Sequence, residues 1–145
     1  MTATPATQDP RLNAVEHRVV ETGPVGSLDE AARLRGVTRS QVIKTMVVRR
    51  NANDYVFVLV PGDRVIDWPK LRNVLGERRL SMADADEALA VTGYERGTIT
   101  PLGASTMWPV FADQRLQGGM VSVGGGAHGV SITISGGDLV LITSA

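Results

Sequence analysis

The chain has 145 residues, enough for one compact domain around a single core. Its 15 Lys and Arg balance 15 Asp and Glu, so no global basic field can hold a polynucleotide non-specifically, and any such contact must be local. Cysteine is absent, which removes disulfides, zinc–thiolate sites and a thiol nucleophile from consideration.

Residues 1–8 are polar, lack the apolar stretch of a signal peptide and read as a disordered tail; residues 9–145 read as a single domain. No apolar run is long enough to cross a bilayer, and a cytoplasmic location without membrane contact is the expectation. Leu12, Val15 and Val19 share one face of a helix expected over 9–20, broken by Gly23-Pro24. Ser27-Leu28-Asp29-Glu30 is a capping box, so a helix should run over 28–35 and stop at Gly36. Residues 42–49 and 55–60 read as two strands joined by a polar turn at 51–54, a hairpin. Asp67-Trp68-Pro69 starts a helix, the aspartate as cap and the proline in the first turn, ending near Gly76. A short strand is expected over 79–82, a helix over 84–90 with acidic residues in its first turn, and a loop over 93–103. Residues 110–112, 120–123 and 130–134 read as strands; the apolar stretch 139–142 fits a strand or a terminal helical turn. Hairpins with scattered helices point to an α/β fold with a mixed, largely antiparallel sheet rather than a doubly wound parallel one. With only two each of Trp, Tyr and Phe, its core must be aliphatic.

One residue stands out within the first hairpin. Val42-Ile43-Lys44-Thr45-Met46-Val47-Val48 is apolar except at Lys44 and Thr45. A lysine in such a run must snorkel out, find a partner, or sit in a cleft where its charge is used. Two glycine-rich stretches lie far down the chain. Gly124-Gly125-Gly126-Ala127-His128-Gly129 fits G-x-G-x-x-G, but a period-2 strand follows where a dinucleotide site needs a helix, so it reads as a turn between strands. Such a turn can still wall a pocket, because glycine lets a ligand approach the backbone. Gly97-Thr98-Ile99-Thr100-Pro101-Leu102-Gly103 is a second loop, its backbone groups held in a fixed array by Pro101, suited to a small polar ligand. His128 has the reference pKa of a general base but no sequence-adjacent acid, and reads as a solvated turn residue. The Arg33/Arg35/Arg39 and Arg49/Arg50 clusters read as solvated faces, or as a modest phosphate-contact patch beside Lys44.

Taken in order, the capped helix, the Val-Ile-Lys-Thr strand, Gly97 to Pro101 followed by Leu-Gly, and the Gly-rich turn before a strand resemble the YbaK/prolyl-tRNA synthetase editing-domain family of aminoacyl-tRNA deacylases. The likeness covers roughly residues 27–142. The resemblance implies a small α/β domain with a curved, partly barrel-like sheet and surrounding helices. It implies hydrolysis of the ester of a mischarged tRNA, carrying cysteine, alanine or a similar small amino acid on tRNA(Pro) or another tRNA. No metal or cofactor is called for. By position, Lys44 would be the catalytic lysine at the pocket. Gly97, Thr98, Ile99, Thr100 and Pro101 would form the loop that holds the aminoacyl moiety, and Gly126, His128 and Gly129 the opposite wall. The partners implied are mischarged aminoacyl-tRNA and an aminoacyl-tRNA synthetase, with the chain free-standing. Ala127, His128 and Ser131 stand where some members carry a basic and an acidic residue, which leaves the amino acid open. The competing reading is a non-catalytic module that binds the aminoacyl end, or a synthetase accessory protein.

Overall fold

A computed structural model describes residues 3–145 of the chain. Its elements are β1 (His17–Glu21), α1 (Leu28–Arg35), β2 (Ile43–Asn51), β3 (Asp54–Pro61), α2 (Trp68–Leu75), β4 (Ser81–Met82), α3 (Ala85–Thr92), β5 (Val110–Ala112), β6 (Met120–Gly124), β7 (Val130–Ser135) and α4 (Gly136–Thr143). The strands form two sheets, β1-β7-β6 and β4-β2-β3-β5. Every pairing is antiparallel except β3 with β5. A single parallel bridge, Val42 to Ser122, links the two sheets. This is the mixed, largely antiparallel α/β arrangement expected from the hairpin pattern.

The helices begin where their caps stand. Ser27 Oγ accepts from the Glu30 N–H at 3.1 Å, Asp67 Oδ1 from Lys70 at 3.1 Å and Asp84 Oδ1 from Glu87 at 2.8 Å, each satisfying one of the orphan donors of a first turn. The apolar stretch left open between strand and helix is helical: Ser135 caps α4, which buries Leu139.

The β2–β3 hairpin is covered on both faces. Ile43, Val47, Phe57 and Leu59 join Leu12, Val121, Ile132 and Leu139 in the main core. Val48, Val56, Val58 and Val60 meet Leu71 and Leu75 of α2 in a smaller one. Burying each such side chain contributes about 1.5–3 kcal/mol, so this hairpin is the least movable part of the molecule. Helix α3 is tied to it through Tyr55, whose ring meets Trp108 edge-on at 5.4 Å and whose hydroxyl donates to Glu87.

The N-terminal region departs from the sequence expectation twice. The helix expected over 9–20 is one 3-10 turn, Pro10–Ala14, followed by β1. The β-branched pair Val19-Val20 is taken by the edge of β7, opposite Ile132 and Ser131, so sheet pairing overrides the helical spacing. Nor is the segment before Asp9 a free tail from Ala3 onward; Met1 and Thr2 lie outside the described residues. Thr4 and Ala6 are buried, and the Thr4 hydroxyl donates to the Gly125 carbonyl.

Asp9 is the anchor of this region, its side chain only 5% exposed. It accepts from the Gly103 N–H at 2.8 Å and from Arg11 Nη2 at 2.7 Å, while Arg11 also donates to the Pro101 carbonyl. Burial alone would raise its carboxyl; hydrogen bonds from the Arg11 side chain, the Arg11 and Gly103 N–H groups and the charge of Arg11 outweigh it, so the pKa lies below the ordinary 3.8. A native pKa below the unfolded one means that this stabilisation is complete above the unfolded value and lost as pH falls through the native one. Asp9→Asn should therefore lose about 2 kcal/mol in urea unfolding at neutral pH, and the gap to wild type should narrow as pH falls below the ordinary carboxyl value of 3.8. A gap that does not change with pH would remove the carboxylate from this role.

Candidate functional site

Strand β4 covers only Val48 and Arg49 of β2. The last bond on that edge runs from the Ala83 N–H to the Val47 carbonyl at 3.0 Å. Alternate residues of an antiparallel strand direct their backbone groups to the same edge. Thr45, two residues before Val47, therefore presents its N–H and C=O to an edge that no strand covers. A cleft of about 550 Å³ lies along this edge. Its other walls are the start of α3 at Asp84, Ala85 and Ala88, the loop residues Arg96, Gly97 and Ile99, and Gly124 at the end of β6.

The loop is rigid for local reasons. Tyr94 is buried and its hydroxyl donates to the Leu102 carbonyl at 2.7 Å; burial, with the Asp9 charge behind it, pushes that phenol up to about 12. Thr98 Oγ1 donates to the Glu95 carbonyl at 2.7 Å, and Thr100 Oγ1 accepts from the Leu102 N–H. The Thr98, Thr100 and Pro101 side chains are buried in the loop's own framework. What the loop offers to the cleft is Gly97 and Ile99, while the Ile99 and Thr98 carbonyls pack against Gly124, 2.9 and 3.3 Å from where a Cβ on that glycine would sit.

Lys44 lines the same cleft, but on β2 it alternates with Ile43 and Thr45, and its Nζ donates to the Arg64 carbonyl in the turn after β3. In this conformation the ammonium is directed away from Gly97. Its half-buried side chain holds this one bond, so re-aiming it costs about 1 kcal/mol. Two further cations line the cleft, Arg35 from the C-terminal end of α1 and Arg96 from the loop. Arg35 is partly buried, which pushes its guanidinium down from the ordinary arginine value; its Nη1 lies 3.4 Å from Ser122 Oγ. The buried Thr45 hydroxyl has no hydrogen-bond partner among the described residues, an arrangement that a bound ligand or water completes. Among the described residues no three His, Cys, Asp or Glu side chains converge on a metal position.

The expected opposite wall is different. Gly126 and Gly129 do not line the cleft; Gly124 takes that place. Gly126, at φ 86°, packs against Tyr94, Thr4 and Ala6, and a Cβ there would stand 2.9 Å from the tyrosine ring. Gly129 passes the Thr22 backbone, whose N–H donates to the Gly129 carbonyl at 2.7 Å. His128 is near the site at its rim: Nε2 is 3.0 Å from Glu95 Oε1, both side chains about two-thirds exposed (64% and 67%), and a Cβ on Gly97 would touch its ring at 3.3 Å. The cleft also holds Arg35, which the sequence offered only within an arginine cluster read as a solvated face or a phosphate-contact patch, and Thr45, Arg96 and Gly124, which were not among the expected site residues. Of these three, Thr45 carried a signal, as the second polar residue in an apolar strand. A wider groove of about 680 Å³ lies across the sheet against α2 and holds none of the expected site residues.

The fold and cleft thus define a small α/β domain with a cleft between a bare strand edge and a glycine loop. The sequence profile of the aminoacyl-tRNA editing domain family matches residues 22–141, and the chain belongs to that family. EbsC of Enterococcus faecalis, whose name assigns it provisionally as a Cys-tRNA(Pro)/Cys-tRNA(Cys) deacylase, is 26% identical over 119 residues, 81% of this chain and 73% of that one. A proline–tRNA ligase of Desulforamulus reducens is 38% identical over 95 residues, 66% of this chain but 16% of the ligase. The chain therefore spans less than a fifth of the length of that ligase. A crystal structure described provisionally as a trans-editing enzyme for prolyl tRNA synthetase superposes with a TM-score of 0.87, covering 100% of this chain and 95% of that one at 24% identity; it bears on the fold.

The packing of Gly126 gives a test. Gly126→Ala should destabilise the domain by about 1–3 kcal/mol, through strain at positive φ and the clash with Tyr94, with the loss seen in thermal unfolding. Unchanged stability together with a blocked cleft would restore Gly126 to the wall.

Proposed function

We propose that this chain hydrolyses the ester linking a wrong amino acid to the 3′ end of a tRNA. The observation that carries this reading is the cleft of about 550 Å³ in which the bare Thr45 edge faces Gly97 and Ile99, within a chain of the editing family. An extended aminoacyl group can hydrogen-bond to such an edge as an added strand does. The nearby glycine removes the side chain that would hold it off. An aminoacyl ester is already activated, so positioning and charge stabilisation supply much of the needed acceleration. The oxygen of a water, positioned by the cleft or by a substrate hydroxyl, adds to the ester carbon; the bond from that carbon to the ribose oxygen breaks, and a proton from the water passes to the leaving ribose oxygen, giving free amino acid and tRNA.

Lys44 supplies the mobile cation in this scheme. On release from the Arg64 carbonyl its ammonium swings to the cleft and stabilises negative charge as it develops on the ester oxygen. The confined space beside Ala88, Ile99 and Gly124 favours a small amino acid, such as cysteine or alanine, and tRNA(Pro) is the tRNA named for EbsC. A prolyl-tRNA synthetase, whose relatives carry a similar segment within a longer chain, is the partner that would supply the mischarged substrate.

The reading is tested with Cys-, Ala- and Ser-tRNA(Pro), using wild type and Lys44→Ala. Wild type should release one of these amino acids, and Lys44→Ala should lower kcat about 100-fold while the fold and tRNA binding persist. Binding of charged tRNA without release of any amino acid would instead identify a module that holds the aminoacyl end without turnover.

A further inference from the structure

Arg35 combines partial burial, a place in the cleft and the lack of a carboxylate partner. Arg11, Arg39, Arg49, Arg50 and Arg115 each lie within 4.0 Å of an Asp or Glu oxygen. Arg35 has no such partner among the described residues, although it is partly buried. Its one hydrogen bond, to Ser122 Oγ, is long at 3.4 Å, and a guanidinium carries five donors in a planar fork. A desolvated charge left without a counter-ion is expensive to keep in a fold. The carbonyl end of α1 offsets part of this and occupies few of its donors.

The cleft shows where the counter-ion belongs. Arg35, Lys44 and Arg96 all line it, and the one carboxylate there, Asp84, already caps α3 through Oδ1. An excess of cations has no use for the amino acid of the substrate, whose α-ammonium it repels. The anionic part of an aminoacyl-tRNA closest to its ester is the backbone phosphate of the terminal nucleotides. Of the three cations, Arg35 is held against a fully buried serine on β6, so it is preorganised in a way that the lysine is not.

Resting on the deacylase reading above, we infer that Arg35 grips a phosphodiester of the single-stranded 3′ end of the tRNA and is a positioning residue for the ester at Thr45. The fork of the guanidinium suits bidentate contact with phosphate oxygens. The fixed grip sets the distance from the terminal ribose to the Gly97 loop.

The experiment compares Arg35→Gln and Arg35→Lys with wild type on two substrates: the aminoacyl-tRNA that wild type hydrolyses, and the same amino acid esterified to adenosine, which has no phosphate. Arg35→Gln should lower kcat/KM about tenfold on the tRNA and less than about twofold on the adenosine ester. Its salt dependence should be shallower by about 0.7 in the log–log slope, as for one lost phosphate contact. Arg35→Lys should recover part of the loss, and thermal unfolding reports whether each variant is folded. Equal losses on both substrates, or none on either, would overturn the inference and leave Arg35 as a cover for the polar face of β6 and β7. Should wild type hydrolyse neither substrate, the deacylase reading falls. In that event, or where only the tRNA is turned over, the same variants are read by equilibrium binding of uncharged tRNA, intact and with its 3′ CCA removed. Weakening by Arg35→Gln confined to the intact tRNA upholds the phosphate contact, and equal affinities of variant and wild type refute it.

Discussion

The site depends on a strand edge that the fold leaves uncovered. Strand β4 is two residues long because the chain turns at Ala83 into the capping box of α3. The last ladder bond is spent at Val47, and Thr45 is left facing open space. A bare edge is ordinarily a liability, since it can pair with any extended chain. Here it is recessed: α3 and the loop from Arg96 to Ile99 stand across it, so only a short extended group fits. Because β2 and β3 are packed on both faces, the edge cannot shift to close the gap, and its backbone groups are presented at fixed spacing.

The opposing loop is held just as firmly, by groups far away in sequence. Asp9 grips the Gly103 N–H, Arg11 the Pro101 carbonyl, and Tyr94 closes the loop on Leu102. The loop therefore pays little ordering entropy when a ligand enters, which is the physical content of preorganisation. The same clasp explains why the N-terminal segment folds onto the domain. Thr4 and Ala6 fill the space beside Gly126.

Local chemistry was readable wherever it decided the outcome. The caps at Ser27, Asp67 and Asp84 act within three residues of themselves, and the helices start where they stand. The 42–60 hairpin was equally plain, because its apolar runs and turn are contiguous. What stayed hidden was settled by distant partners. Val19 and Val20 fit a helix face until the edge of β7 claims them. Gly126 and Gly129 looked like pocket glycines because the pattern cannot say what approaches a backbone; Tyr94 and Thr22 do. Thr45 was visible as a polar residue in an apolar strand, yet only the shortness of β4 makes its edge a binding surface.

On the proposed reading, two of the cations that flank this edge, Lys44 and Arg35, divide the work by their flexibility. Lys44 carries a long, half-buried side chain held by one carbonyl, so its charge could follow negative charge that would appear only as the ester is attacked. A permanently docked ammonium would stabilise ground state and transition state alike, and would gain little in rate. Arg35 is partly buried and seated on Ser122, and the target proposed for it, a phosphate, would carry its charge throughout the reaction. For that target a fixed fork is the better device, because it loses less rotamer freedom per bond formed. On the proposed reading, a chain with zero net charge addresses a polynucleotide at one point, the cleft where Arg35, Lys44 and Arg96 gather beside one carboxylate, Asp84.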